Sequence, residues 1–137
     1  LKVIIYIALC LLLGIMATLA LTNTFPFNSG GIGNPTAKDI LKGNPDADIL
    51  KLDGLIYSNV SDKEWLDDNR YTKGEKIGEI KKQTTATWWF RNLFATKLPK
   101  GTKIFMSNGK DYGEYPPSLV IVEISDEELV YQAMVEG

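Results

Sequence analysis

Hydrophobic residues follow two different patterns along this chain. From Val3 to Leu21 the residues VIIYIALCLLLGIMATLAL carry no charge, so a helix through them has no polar side to turn toward water. At 1.5 Å per residue the run covers about 28 Å, close to the thickness of a bilayer core. A helix pairs its own backbone amides, which lipid requires, and it tolerates Gly14. The expectation is a transmembrane signal anchor over residues 1–21. Past Leu21 the apolar positions come in short runs broken by turn residues, which is the pattern of strands.

Residues 22–43 begin with TNTFPFNSGGIGN, too rich in Gly, Ser and Asn to repay the entropy of ordering, and read as a flexible linker. Phe25 and Phe27 stand where aromatic rings favour a membrane interface. Pro35 to Lys42 is expected to form a short helix, with Asn34 as its cap and Gly43 as its stop. Residues 44–137 then hold the folded domain. Ile49-Leu50-Lys51-Leu52 and Leu55-Ile56-Tyr57-Ser58 flank Asp53-Gly54, a hairpin signal because a type I′ turn needs positive φ at both central residues. One long strand with a bulge at Gly54 is the rival. Ser61-Asp62-Lys63-Glu64 has the form of a capping box, so a helix to about Asp68 is expected, with Trp65 and Leu66 inward. Further strands are expected at Glu75–Thr85, where Gly78 breaks the alternation, at Thr102–Met106, at Leu119–Ile124 and at Leu129–Val135. The fold class is α+β and mainly β: a transmembrane helix followed by a small antiparallel meander sheet or open barrel of five to six strands, with one or two short helices.

Composition narrows the chemistry. The 137 residues include no histidine and one cysteine, Cys10, which lies inside the apolar run. Ser-His-Asp and Cys-His catalysis, the usual zinc sites and an internal disulfide are thereby removed from the domain. No catalytic residue, cofactor or metal ligand is assigned. Net charge is −2, and without Lys2 the chain holds 14 basic against 17 acidic residues, a balance that argues against nucleic acid as a partner. Lys81-Lys82 and the Lys97, Lys100 and Lys103 group read as solvated faces. Asp62, Glu64, Asp67 and Asp68 lack the spacing and glycine of a calcium loop.

Lys2 is the sole charge before the run, and no Lys or Arg follows until Lys38, which places the N-terminus inside and the domain outside the cytoplasm. Cys10 fits a lipidation signal poorly: Ile7-Ala8-Leu9 precedes it and eleven apolar or neutral residues follow. Cleavage after Thr18-Leu19-Ala20 is an alternative to a retained anchor.

The stretches NPDADILKLDGLIYSN (Asn44–Asn59), TKGEKIGEI (Thr72–Ile80) and ATKLPKGTKIF (Ala95–Phe105), with the closing VYQAMVEG, resemble small uncharacterised exported lipoproteins and membrane-anchored proteins of Gram-positive, Bacillus-like bacteria. The resemblance implies an exported single-domain protein and brings no activity or site with it. Cys10 departs from the lipoprotein pattern, and Trp88-Trp89 is not a feature of that group.

TWWFRNLF, Thr87 to Phe94, puts four aromatic residues beside Arg91. Trp88, Trp89 and Arg91 are candidate contacts for a ligand or partner, since exposed tryptophans stack on sugars or anchor protein interfaces. The plainer reading, and the favoured one, is core packing: Trp89 with Leu93 and Phe90 with Phe94 would close a helical turn over the sheet. Tyr112 and Tyr115, in the polar excursion from Ser107 to Pro117, are further candidate contacts. The function expected is an extracytoplasmic, membrane-anchored binding or accessory module of the cell envelope, with a cell-wall or envelope-protein partner. The alternatives are a carbohydrate-active enzyme using a carboxylate pair, such as Asp111 with Glu114 or Asp67 with Asp68, and a structural or immunity-type partner of a membrane protein.

Overall fold

The computed structural model describes residues 2–21, 33–66, 71–108 and 112–136, and in the first stretch side chains only as far as Leu13. The chain forms two compact units, residues 1–32 and 33–137. The first contains the helix α1, Lys2–Leu21, with no acidic residue in its first turn and no basic residue in its last. Its large apolar side chains from Val3 to Leu13 are all more than half exposed. Among the described residues no helix is long and apolar enough to cross a membrane.

The second unit opens with α2, Ala37–Gly43, whose N-cap is Thr36 and not Asn34. Thr36 and Asp39 form a reciprocal capping box: the threonine hydroxyl accepts from the Asp39 amide at 3.2 Å, and the Asp39 carboxylate accepts from the Thr36 amide at 2.9 Å. Asn34 is used elsewhere, accepting from the Glu136 amide at 3.0 Å. Ala37 and Leu41 of α2 are buried, so the segment read as linker up to residue 43 belongs in part to the folded unit.

Eight strands follow: β1 (Ile49–Leu52), β2 (Leu55–Asn59), β3 (Lys73–Glu79), β4 (Lys82–Gln83), β5 (Phe94–Ala95), β6 (Lys103–Ser107), β7 (Leu119–Ile124) and β8 (Glu127–Ala133). They make one sheet in the order β3-β6-β7-β8-β2-β1-β5-β4, antiparallel throughout except for the β4–β5 pair. The expected five to six strands become eight for two local reasons. Glu75–Thr85 is split into β3 and β4, and the two-residue β5 lies in a stretch read as helical.

A flat sheet would set its first and last strands about 34 Å apart, seven spacings of roughly 4.8 Å. Here those strands are β3 and β4, separated only by Ile80 and Lys81, which span about 10 Å between Glu79 and Lys82. The sheet must therefore curl into a half-barrel. Backbone hydrogen bonds mark the crossing: the Ile80 amide donates to the Thr102 carbonyl at 2.8 Å, and the Lys81 amide donates to the Leu93 carbonyl at 2.7 Å. Gly78 sits at a register shift in the β3–β6 pairing, as its break in the alternation predicted. The extra residue lets Ile77 and Ile80 both meet the interior.

Inside the curl lie Leu50, Leu52, Tyr57, Ile80, Leu98, Ile104, Val120, Val122 and Tyr131. The opposite face is covered in two places. Phe90 and Phe94, with α2, cover Ile49 and Ile56, and Val60 with Leu66 covers Val130. The segment after β2 forms turns through Leu66 and not the capped helix expected from Ser61. The Ser61 hydroxyl accepts from the Val130 amide at 2.8 Å, a tertiary bond that replaces the local cap. Leu66 is buried as expected, whereas Trp65 is 55% exposed and corrects the inward assignment.

Two fully buried tyrosines join interior and rim. The Tyr57 hydroxyl donates to the Pro117 carbonyl at 2.6 Å, and the Tyr131 hydroxyl donates to Asp48 at 2.8 Å, where Asn59 also donates. Burial, and secondarily the nearby Asp53, raises the Tyr57 phenol far above its ordinary range. Tyr131 is raised likewise, by burial first and then by Asp48. Among the described residues no buried side-chain polar atom lacks a partner.

The β1–β2 turn has φ of 48° at Asp53 and 81° at Gly54, as a type I′ hairpin requires. Replacing Gly54 by valine is expected to lower the unfolding free energy by about 1–2 kcal/mol, read from urea denaturation, because a branched side chain resists the left-handed region. The tyrosines set an alkaline limit. A phenol held neutral when folded, but ionising near pH 10 when unfolded, stabilises the fold fully below pH 10 and loses that contribution as pH rises beyond it. The urea midpoint is expected to fall above about pH 10, and Tyr57→Phe should flatten that decline even though it lowers stability at neutral pH.

Candidate functional site

The TWWFRNLF stretch packs otherwise than as a helical turn. A single 3-10 turn, Thr87–Trp89, has no buried residue, and after an extended Phe90 the chain turns at Asn92-Leu93, where the Phe94 amide donates to the Arg91 carbonyl at 3.0 Å, before entering β5. Phe90 and Phe94 do meet, edge to face, at 6.3 Å between centroids, and both are buried. Trp88 and Trp89 do not join them. Trp88 is 83% exposed and Trp89 46%, their rings tilted by 54° at 5.8 Å, which overturns the core-packing reading for this pair. The division is physical: α2 and the β1–β2 face accept two rings, and the 3-10 turn aims the others away.

Leu93 creates the groove beside them. Its φ of 66° is one an L-residue adopts only at a cost of about 1–2 kcal/mol. The strain is held by two backbone bonds: the Leu93 amide donates to the Lys51 carbonyl at 2.6 Å, and its carbonyl accepts from the Lys81 amide. The side chain packs against the interior, directly over Gly78, where an added Cβ would stand 3.1 Å from Leu93 Cδ2. One residue thus brings Lys51 of β1 and Lys81 of the β3–β4 crossing to the two sides of the same depression.

That groove has a volume of about 480 Å³ and is lined by Lys51, Lys81, Trp89, Arg91 and Asn92, with Gly54, Phe90 and Phe94. The Arg91 guanidinium lies over the Trp89 ring, 4.4 Å from its centroid. Lys51 Nζ donates to the Phe90 carbonyl at 3.3 Å, and Asn92 Oδ1 accepts from the Gly54 amide at 2.9 Å, tying the loop to the β1–β2 turn. Lys82 stands over Phe94 at 6.0 Å. Among the described residues three cations and an indole line the depression, and no carboxylate does. Such a lining suits an anionic group attached to an apolar or ring-shaped body.

Of the candidates read from sequence, Trp89 and Arg91 line this groove, and Trp88 stands beside Trp89. Tyr112 and Tyr115 are both exposed but do not line the groove; the Tyr112 amide donates to Glu75 of β3 at 2.8 Å. Lys51 was missed as a site residue, and Lys81 was read, with Lys82, as part of a solvated face. The alternation in ILKL sets Lys51 opposite Leu50 and Leu52, yet nothing local places it beside Arg91, 40 positions away. Asp67, Asp68 and Asp111, three of the four carboxylates considered for catalysis, lie outside the described residues. Among the described residues no three side chains of His, Cys, Asp or Glu gather into a metal site.

Searches against protein-family models, curated proteins and solved structures find no match for this chain. The reading of the site therefore rests on its own chemistry.

Trp88→Ala is expected to change stability by less than about 0.5 kcal/mol, as an exposed residue does. Phe94→Ala should cost about 3–5 kcal/mol through the cavity it leaves. Chemical denaturation of the two variants separates the exposed half of the aromatic cluster from the structural half.

Proposed function

We propose that this protein is a membrane-anchored binding or accessory module of the cell envelope, its folded unit held outside the cytoplasm and meeting its ligand through the Trp88, Trp89 and Arg91 face. The observation that carries the binding role is the exposure of Trp88: a small domain that needs apolar area for its core leaves an indole in water beside a second indole and an arginine. Anchoring is supported by the charge-free sequence from Val3 to Leu21. Orientation is supported by Lys2 before the run and the lack of basic residues after it until Lys38.

The full-length protein is expected to stay with membranes through alkaline carbonate washing, and protease added outside intact protoplasts should degrade the folded unit. Recovery in the soluble cytosolic fraction would refute the anchor, and protection from external protease would refute the orientation.

A further inference from the structure

We propose that the Trp88–Trp89–Arg91 face, with Lys51, Lys81 and Lys82, docks the folded unit onto the anionic headgroups of the bilayer in which the protein is anchored. This rests on the anchored reading above and names the ligand of the same site.

The chemistry of the face matches an interface between lipid and water. Trp88 is more exposed than any other large apolar side chain among the described residues. Indoles partition to the headgroup level, where the ring is shielded and the N–H stays hydrated. Lysine and arginine flanking such rings meet lipid phosphates, and each basic residue near an anionic leaflet raises partitioning about fivefold. The chain as a whole carries −2, yet Lys51, Lys81 and Arg91 share a groove whose lining, among the described residues, holds no carboxylate. Among the described residues Arg91 has no carboxylate partner. Its guanidinium is steadied by the Trp89 ring, with its donors available for bidentate contact with a phosphate.

The tether favours the bilayer over a soluble ligand. Residues 22–32 separate α1 from the folded unit, and eleven residues reach at most about 39 Å. A domain of this length has a radius of gyration of about 13 Å, so an anchored unit never moves more than roughly its own width from the headgroups. At that effective concentration even a weak face stays engaged. A soluble sugar or peptide gains nothing from the tether.

The test uses the full chain with Trp65→Phe, so that fluorescence comes from Trp88 and Trp89, incorporated into phosphatidylcholine vesicles with or without phosphatidylglycerol. Docking predicts a blue shift, quenching by lipids brominated in their acyl chains and shielding from aqueous iodide, all in the anionic vesicles. Each of Lys81→Gln, Lys82→Gln and Arg91→Gln should lower the ratio of docked to undocked protein about fivefold. If the chain floats with vesicles while both tryptophans stay open to iodide in either composition, docking is overturned and the anchor stands. Equal quenching in both compositions overturns the anionic preference. Shielding by added inorganic phosphate, without quenching by lipid, overturns the membrane as occupant in favour of a soluble anion. Failure to float at all overturns the anchor, and the docking argued from it.

Discussion

The two-residue crossing at Ile80-Lys81 constrains the rest of the folded unit. It obliges the chain to leave one edge of an eight-strand sheet and enter the other, and only a curled sheet allows that over so short a distance. Curling creates an interior that Tyr57, Tyr131 and the aliphatic residues around them fill. Their hydroxyls reach the rim, where the Pro117 carbonyl and Asp48 accept them, so no phenol is buried unpaired. Packing of the interior and hydrogen bonding at its mouth are in this way one arrangement.

The convex side of the same sheet is where function is proposed. Curvature spreads side chains apart on that face, and separate coverings are laid over it: α2 with the Phe90–Phe94 pair in one place, the Ser61–Leu66 segment in another. The groove opens between the first covering and the β1–β2 turn. Beside it stands Leu93, whose strained backbone bonds to β1 and to the β3–β4 crossing and whose side chain locks over Gly78. The site and the closing of the sheet thus share their residues.

Composition gives that groove its meaning. With no histidine and no cysteine outside the N-terminal run, it offers recognition chemistry: indole faces, ammonium and guanidinium donors, and one amide already engaged in holding its own loop. These groups bind and orient anions and rings. On the proposed reading the same features make binding at this face sensitive to salt, which sets it apart from an apolar patch.

Much of this protein could be read without a structure, wherever the determining interaction is local. The Asp53-Gly54 hairpin follows from backbone sterics, the Gly78 bulge from a broken alternation, and the Leu119–Ile124 strand from an apolar run that only Glu123 interrupts. The short helix was legible too, with its cap misplaced by two residues because Thr36 and Asn34 are both able caps and only the contact with Glu136 decides between them. Sequence could not choose where a residue has two good partners. Ser61 prefers Val130, 69 positions on, to its own helix, and TWWFRNLF abandons a helical turn because Leu93 is bound to Lys51 and Lys81. Which tryptophans stay in water, and which lysines stand beside them, are likewise settled by tertiary closure: exposure and charge proximity belong to surfaces assembled from distant segments, and no local pattern encodes them.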